Sequence, residues 1–126
     1  MREIKFRGIS VKHHNMIFGD LVQNDSSTGR YLKVAIKERG CYPHEVDPAT
    51  LGQYTENKDI TRTKELYVGD IVQAPRNCKT LCVIKFKPHV GFYAEGKGGV
   101  YITGLSLDEC LWKGNIHENA NLLTNE

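Results

Sequence analysis

The stretch Glu65-Leu66-Tyr67-Val68-Gly69-Asp70-Ile71-Val72-Gln73 decides how the chain is read. Glycine supplies a positive φ at no steric cost, aspartate bonds to backbone donors two residues on, and the β-branched residues that follow suit a pleated strand. Gly69-Asp70 therefore reads as a turn that launches a strand. The same device stands earlier as Phe18-Gly19-Asp20-Leu21-Val22-Gln23, with Gly, Asp, Val and Gln in the same places. Two copies fall short of the three stacked units that a solenoid needs. The repetition is read as convergent turn chemistry, and each copy is expected to start a strand.

Working outward, Ile4-Lys5-Phe6-Arg7 alternates apolar and basic residues, and Tyr31-Leu32-Lys33-Val34-Ala35-Ile36 is rich in strand formers. Asp25-Ser26-Ser27-Thr28-Gly29 is a polar turn cluster between two such runs. Residues 1–55 are thus expected to hold a strand and a hairpin. Beyond the second Gly-Asp come Thr80 to Phe86, Gly91 to Ala94, Val100 to Ile102 and Cys110 to Trp112. Short strands at roughly ten-residue spacing predict a small barrel, drawn as SH3-like, over residues 65–126. Glu56 to Lys64 is polar and aperiodic and is read as an exposed, protease-sensitive loop over 56–64.

Helix signals are short. Asp47-Pro48-Ala49-Thr50-Leu51-Gly52 offers an N-cap, a proline at the first helical position and a terminating glycine, enough for one turn. Ser106 to Glu109 carries a capping-box pattern, and Asn119 to Leu123 can make a final turn. The fold class is mainly β with very little helix, organised as one domain over 1–126.

Composition narrows the function. With 126 residues, 40% hydrophobic and 25% charged, the chain suits a globular protein with one core. Its N-terminus, Met-Arg-Glu-Ile-Lys-Phe-Arg, has no apolar signal region, and no run approaches a membrane helix, so a cytoplasmic protein without membrane contacts is expected. A net charge of +2 is too small to flag a dedicated nucleic-acid binder.

Four cysteines are too few for a disulfide scaffold. Cys41 and His44, with Cys78 and Cys82, have spacings that a zinc site accepts. The pattern is not a standard finger or ribbon, and Cys82 shares a strand face with Ile84 and Phe86, so no metal and no cofactor are expected. Gly96-Lys97-Gly98-Gly99 lacks the spacing and the following helix of a phosphate loop and is read as a hairpin tip. His13, His14, His89 and His117 are scattered, and no nucleophile or metalloprotease motif is present. Asp20 and Asp70 are explained as turn formers and Asp47 as a cap. An enzyme is not expected.

Two binding readings follow. Lys85 and Lys87 alternate with Ile84 and Phe86; with Arg76, Lys79, Lys97, Tyr93 and Tyr101 they describe a basic, aromatic face able to track a single nucleic-acid strand. Alternatively, aromatic residues left partly uncovered, among them Tyr31, Tyr42, Phe92 and Trp112, support self-association.

The segment Val46 to Thr55, the polar loop with Lys58-Asp59, and Glu65 to Val72 together resemble the signature of the YopX family of phage and prophage proteins. Ile4-Lys5-Phe6-Arg7 and the closing Gly114-Asn115-Ile116-His117-Glu118-Asn119-Ala120-Asn121-Leu122-Leu123 fit in the same order. The residues carrying the resemblance are Asp47, Pro48, Gly52, Gln53 and Tyr54, then Tyr67, Gly69 and Asp70, then Gly114, Asn115 and Asn119. Glu56, the run Thr61 to Lys64, and Ala120 depart from the family pattern. The resemblance implies a mainly β fold, a tendency to homo-oligomers and a place in a bacterial host cell, and it implies no activity. The chain is accordingly expected to be a non-enzymatic, self-associating accessory protein, with nucleic-acid binding as the alternative.

Overall fold

The computed structural model describes residues 5–25, 32–38, 40–75 and 80–124. They form two antiparallel sheets with little helix and divide into two compact units, Met1–Tyr54 and Thr55–Glu126. Among the described residues no helix is long and apolar enough to cross a membrane.

In the first unit, β1 (Phe6–Ile9), β2 (Met16–Asp25), β3 (Leu32–Lys37), β4 (His44–Glu45) and the start of β5 (Gly52–Lys58) lie in the order β4-β3-β2-β1-β5. Strand β2 serves two partners in succession. Met16 to Gly19 pair with Ile9 to Phe6, and Asp20 to Asp25 pair with Lys37 to Leu32. Gly19 is the handover point, so the first Gly-Asp lies in mid-strand and does not begin one. A Cβ there would strike the Lys37 carbonyl oxygen, which is why glycine occupies the position. The expectation of a turn failed because the local signal is the same whether a strand starts or changes partner.

The core of this unit is Ile17, Ile36 and Val46, with Phe6, Val34 and Leu51 packed against them. Val46 reaches it because Gly8 has no side chain, since a Cβ on Gly8 would lie 3.0 Å from Val46. The Asp47-Pro48 signal makes one 3-10 turn, Pro48–Thr50, with Asp47 Oδ1 accepting from Ala49 N at 3.0 Å. Thr50 ties the turn to β1, accepting from Ile9 N at 2.8 Å and donating to the Asp47 carbonyl at 2.6 Å. Gly52 does not end this turn. It opens β5, where Gly52 and Gln53 pair with Arg7 and Phe6, and Tyr54 N donates to the Lys5 carbonyl.

In the second unit, β6 (Glu65–Tyr67) lies beside the end of β5, and Thr55 Oγ1 donates to the Leu66 carbonyl at 2.9 Å. The polar stretch expected as a loop is partly strand, because β5 runs to Lys58; residues 59–64 then form a turn around Asp59. Asp59 is only 1% exposed. Its Oδ1 accepts from the Thr61 hydroxyl at 2.6 Å and from Thr61 N at 3.2 Å, and its Oδ2 accepts from Trp112 N at 3.2 Å.

Strands β7 (Asp70–Gln73), β8 (Leu81–Lys87), β9 (Gly91–Gly96), β10 (Tyr101–Thr103) and β11 (Leu111–Asn115) form a five-stranded sheet in the order β10-β9-β8-β7-β11. Its ends, β10 and β11, do not pair with each other among the described residues, so where a small SH3-like barrel is expected the strands form an open five-stranded sheet. One face buries Val72, Cys82, Ile84, Ala94 and Ile102 with Leu66, Leu107 and Cys110. Leu107 comes from a 3-10 segment, Gly104–Glu109, and the final turn is α1, Asn121–Thr124. Lys97–Gly99 joins β9 to β10 as the expected hairpin tip, with Gly98 and Gly99 at φ 74 and 80.

Candidate functional site

Two features of the second unit correspond to the residues singled out in the sequence. The first is the junction of β6, β7 and the end of β11. Gly69, at φ 97, makes the turn expected of the second Gly-Asp, and the fully buried Asp70 fixes it by accepting from Tyr67 N at 2.7 Å through Oδ2. Directly opposite Asp70 in the sheet is Asn115. Its Oδ1 accepts from His117 N and Glu118 N, its side-chain amide donates to Glu118, and its own N donates to Asn119 Oδ1 at 3.2 Å. Asn119 N returns a bond to the Asn115 carbonyl, and Ile116 N donates to the Gly69 carbonyl. A Cβ on Gly114 would sit 2.6 Å from Asn119 Oδ1, so glycine there keeps the two asparagines in register. These groups are occupied in holding backbone.

The second feature is the face of the five-stranded sheet opposite its core. Side chains alternate along a strand, so with Cys82 and Ile84 inward, Val83, Lys85 and Lys87 face out. The register sets Lys85 opposite Tyr93 on β9, and Tyr93 opposite Thr103 on β10, with Tyr101 opposite Glu95. Lys85, Lys87, Tyr93 and Tyr101 therefore do share one face, as the sequence predicts. Their accessibility differs from the expectation. Tyr93 is only 3% exposed, because its ring stacks on Tyr101 at 5.2 Å and 19° while Lys87 Nζ covers it at 5.3 Å. It cannot offer a base an open surface. Tyr101 is 50% exposed and can.

Lys85 donates to Glu95 Oε1 at 2.8 Å. That hydrogen bond is the main reason the ammonium is held above its ordinary pKa and the Glu95 carboxyl below its own. The pair is half exposed, so it adds little to stability, but it takes one of the predicted phosphate contacts out of play. Sequence reasoning missed Glu95. The signal lies in the β8–β9 register, where residues two apart on facing strands are diagonal neighbours. Lys97 stands beside this face and, with Leu81, Val83, Glu95, Gly96 and Leu123, lines a groove of about 260 Å³. Arg76 and Lys79 lie outside the described residues.

Among the described residues the thiols and imidazoles are not grouped into a comparable centre. Cys41 and His44 belong to the first unit, where His44 meets His13 edge-on at 6.0 Å, and Cys82 belongs to the second. Cys78 lies outside the described residues. Among the described residues no three His, Cys, Asp or Glu side chains are grouped to hold a metal ion. Cys82 and Cys110 are fully buried. Burial first, then the charges of Cys82, Glu109 and Asp108, push the Cys110 thiol up to about 12. Of the aromatics expected at a contact surface, Tyr42 is 88% exposed, Phe92 and Trp112 pack on the core, and Tyr31 lies outside the described residues.

No curated protein matches the chain. A family comparison matches the YopX protein over residues 5–124, which takes in β1, the Asp47-Pro48 turn, the Gly69-Asp70 turn and the Asn115 turn described above. The chain belongs to the YopX family.

Proposed function

We propose that this protein is a non-enzymatic accessory protein of phage or prophage origin, acting inside the bacterial host cell by binding, and that its first partner is another copy of itself. The observation that carries this reading is the apolar surface at the β10 end of the second unit. Leu105 is 94% exposed and Tyr101 50% exposed beside an open sheet edge. Large apolar side chains left in water at such an edge are characteristic of contact surfaces. The buried carboxylates Asp59 and Asp70 are committed to backbone donors, which supports a binding role over a catalytic one. The strand order, with a 3-10 segment before the last strand, also supports an SH3-like arrangement left open, a scaffold suited to binding. Light scattering over a concentration series is expected to return at least twice the monomer mass. A monomer at the highest concentration reached overturns the reading.

A second reading is favoured by the convergence of Lys85, Lys87, Tyr93 and Tyr101 on one face. With Lys85 held by Glu95, the phosphate contacts among the described residues reduce to Lys87 and Lys97 and the stacking surface to Tyr101. Two phosphates on a single strand give a log–log salt slope of about −1.4, or roughly a sevenfold loss of affinity from 50 to 200 mM salt. Gel shifts with single- and double-stranded oligonucleotides across that range test it. Absence of any salt-sensitive complex at micromolar protein removes this alternative.

A further inference from the structure

We infer that His13 and His44 form a two-histidine site for a divalent late transition-metal ion, placed across the seam that joins the end of β1 to β4 in the first unit. The inference does not depend on the self-association proposed above.

The seam is a short run of backbone contacts between segments distant in sequence. Ser10 and Val46 make an antiparallel bridge, Val11 N donates to the Glu45 carbonyl at 3.0 Å, and Asp47 N donates to the Ile9 carbonyl at 3.0 Å. On one side of it the turn after β1 is fixed from within, because Ser10 Oγ accepts from His13 N at 3.0 Å and the Ser10 carbonyl accepts from His14 N at 2.8 Å. On the other side β3 holds β4 in register, with His44 opposite the core residue Ile36. Both histidines therefore stand on backbone that is tied down. Their rings meet across the seam with centroids 6.0 Å apart and planes at 67°.

That spacing suits a shared ion. Two imidazole nitrogens on one tetrahedral ion, each about 2.0–2.1 Å from it, stand roughly 3.3 Å apart, and the facing rims of these two rings come about that close. The last side-chain torsion of histidine is broad and two-fold, so each ring can turn a nitrogen toward the other without moving the backbone. Among the described residues neither ring has a hydrogen bond or an ion pair that would compete. His13 is exposed and His44 half-buried, which leaves the ion a path from solvent.

The donor set decides which ions fit. Glu45 alternates to the opposite face of β4 from His44, and among the described residues no third ligating side chain joins the pair. Two nitrogen donors without a carboxylate select Ni2+, Cu2+ or Zn2+ over Mg2+ and Ca2+, which take oxygen ligands. Water completes the coordination, so the ion binds reversibly, unlike the closed four-ligand zinc that holds a small domain together. Once bound it latches the β1 turn to β4, because the two imidazoles are neighbours only in the folded chain.

The test is calorimetric titration of the full chain with Ni2+ in the presence of excess Mg2+. One Ni2+ per chain is expected. His13→Ala and His44→Ala should each raise its dissociation constant at least about tenfold, since even groups that only support a metal ligand are worth about 10–100-fold. His14→Ala and His89→Ala should leave it unchanged. Hydrogen exchange of the unmodified protein gives a readout that does not depend on any variant folding: the Val11 and Asp47 amides, which cross the seam, should exchange more slowly with Ni2+ bound. No binding up to millimolar Ni2+, binding that either His13→Ala or His44→Ala leaves intact, and bound Ni2+ that leaves the Val11 and Asp47 amides unchanged each overturn the site. Binding lost only in Cys41→Ser assigns the metal to that exposed thiol and overturns it as well.

Discussion

Asp59→Ala lowers the unfolding free energy by about 3 kcal/mol, measured by urea denaturation at neutral pH. The size follows from what the carboxylate does. Its two oxygens accept from the Thr61 hydroxyl and amide and from the amide of Trp112, far along the chain. Alanine removes the buried acceptor that the half-buried Trp112 amide and the Thr61 hydroxyl and amide share, and loss of a hydrogen-bond partner at a buried group costs about 1–3 kcal/mol. Burial by itself pushes the Asp59 carboxyl up; the Thr61 hydroxyl and the backbone amides of Trp112, Lys64 and Thr61 outweigh it, so the group titrates below its ordinary 3.8. A depressed carboxyl contributes stability that is present above the unfolded pKa and is lost as pH falls through the folded one. The wild-type protein should therefore weaken below about pH 4, and Asp59→Asn, which cannot ionise, should flatten that part of the profile. An Asp59→Ala midpoint equivalent to less than about 0.5 kcal/mol, the ordinary range of surface substitutions, contradicts this account.

Gly19→Ala is the second large effect, at about 2–4 kcal/mol. A Cβ at this position would strike the carbonyl oxygen of Lys37 and lie 2.8 Å from its carbon and 3.1 Å from Glu38 N. All three are backbone atoms, so no side-chain rotation relieves the contact, and β2 and β3 must part where β2 passes from β1 to β3. Loss should be local as well as global. Amides from Asp20 to Val22 and from Val34 to Lys37 are expected to lose exchange protection first. A variant with wild-type stability and wild-type protection across that hairpin shows that the strands do not approach there as described.

The two Gly-Asp copies mark the boundary of what local sequence can show. The second is a turn because Gly69 takes φ 97 and Asp70 caps Tyr67 within four residues, and local chemistry is enough to predict it. The first is identical in type, but its role depends on Lys37, and a contact across sheet neighbours leaves no trace in a hexapeptide. Most of the strands, the Asp47-Pro48 turn and the final turn were legible because periodicity, caps and turn residues are short-range; β4 and β5 were not, since their residues carry helix-end and loop signals. Asp59 was not. It sits in a run of charged and polar residues that reads as exposed loop, and its bond to the Trp112 amide joins positions far apart in the chain. On the candidate face the alternation placed Lys85, Lys87, Tyr93 and Tyr101 together correctly. The pairing of Lys85 with Glu95 and the covering of Tyr93 required the β8–β9 register, which depends on where the Pro88–Val90 turn falls.

The position of β11 bears on how the protein is made. The last strand of the sheet in sequence, Leu111–Asn115, lies against the first, Asp70–Gln73, and the amide of its second residue, Trp112, donates to Asp59. At translation speeds of about 5–20 residues per second, Leu111 follows Gln73 by roughly two to eight seconds. During that interval β7 has one open side, and the nascent sheet ends in apolar Ile71 and Val72. The sheet of the second unit is thus completed only after Leu111–Asn115 has been made, and a ribosome stalled short of Trp112 holds a chain in which β7 lacks its second neighbour.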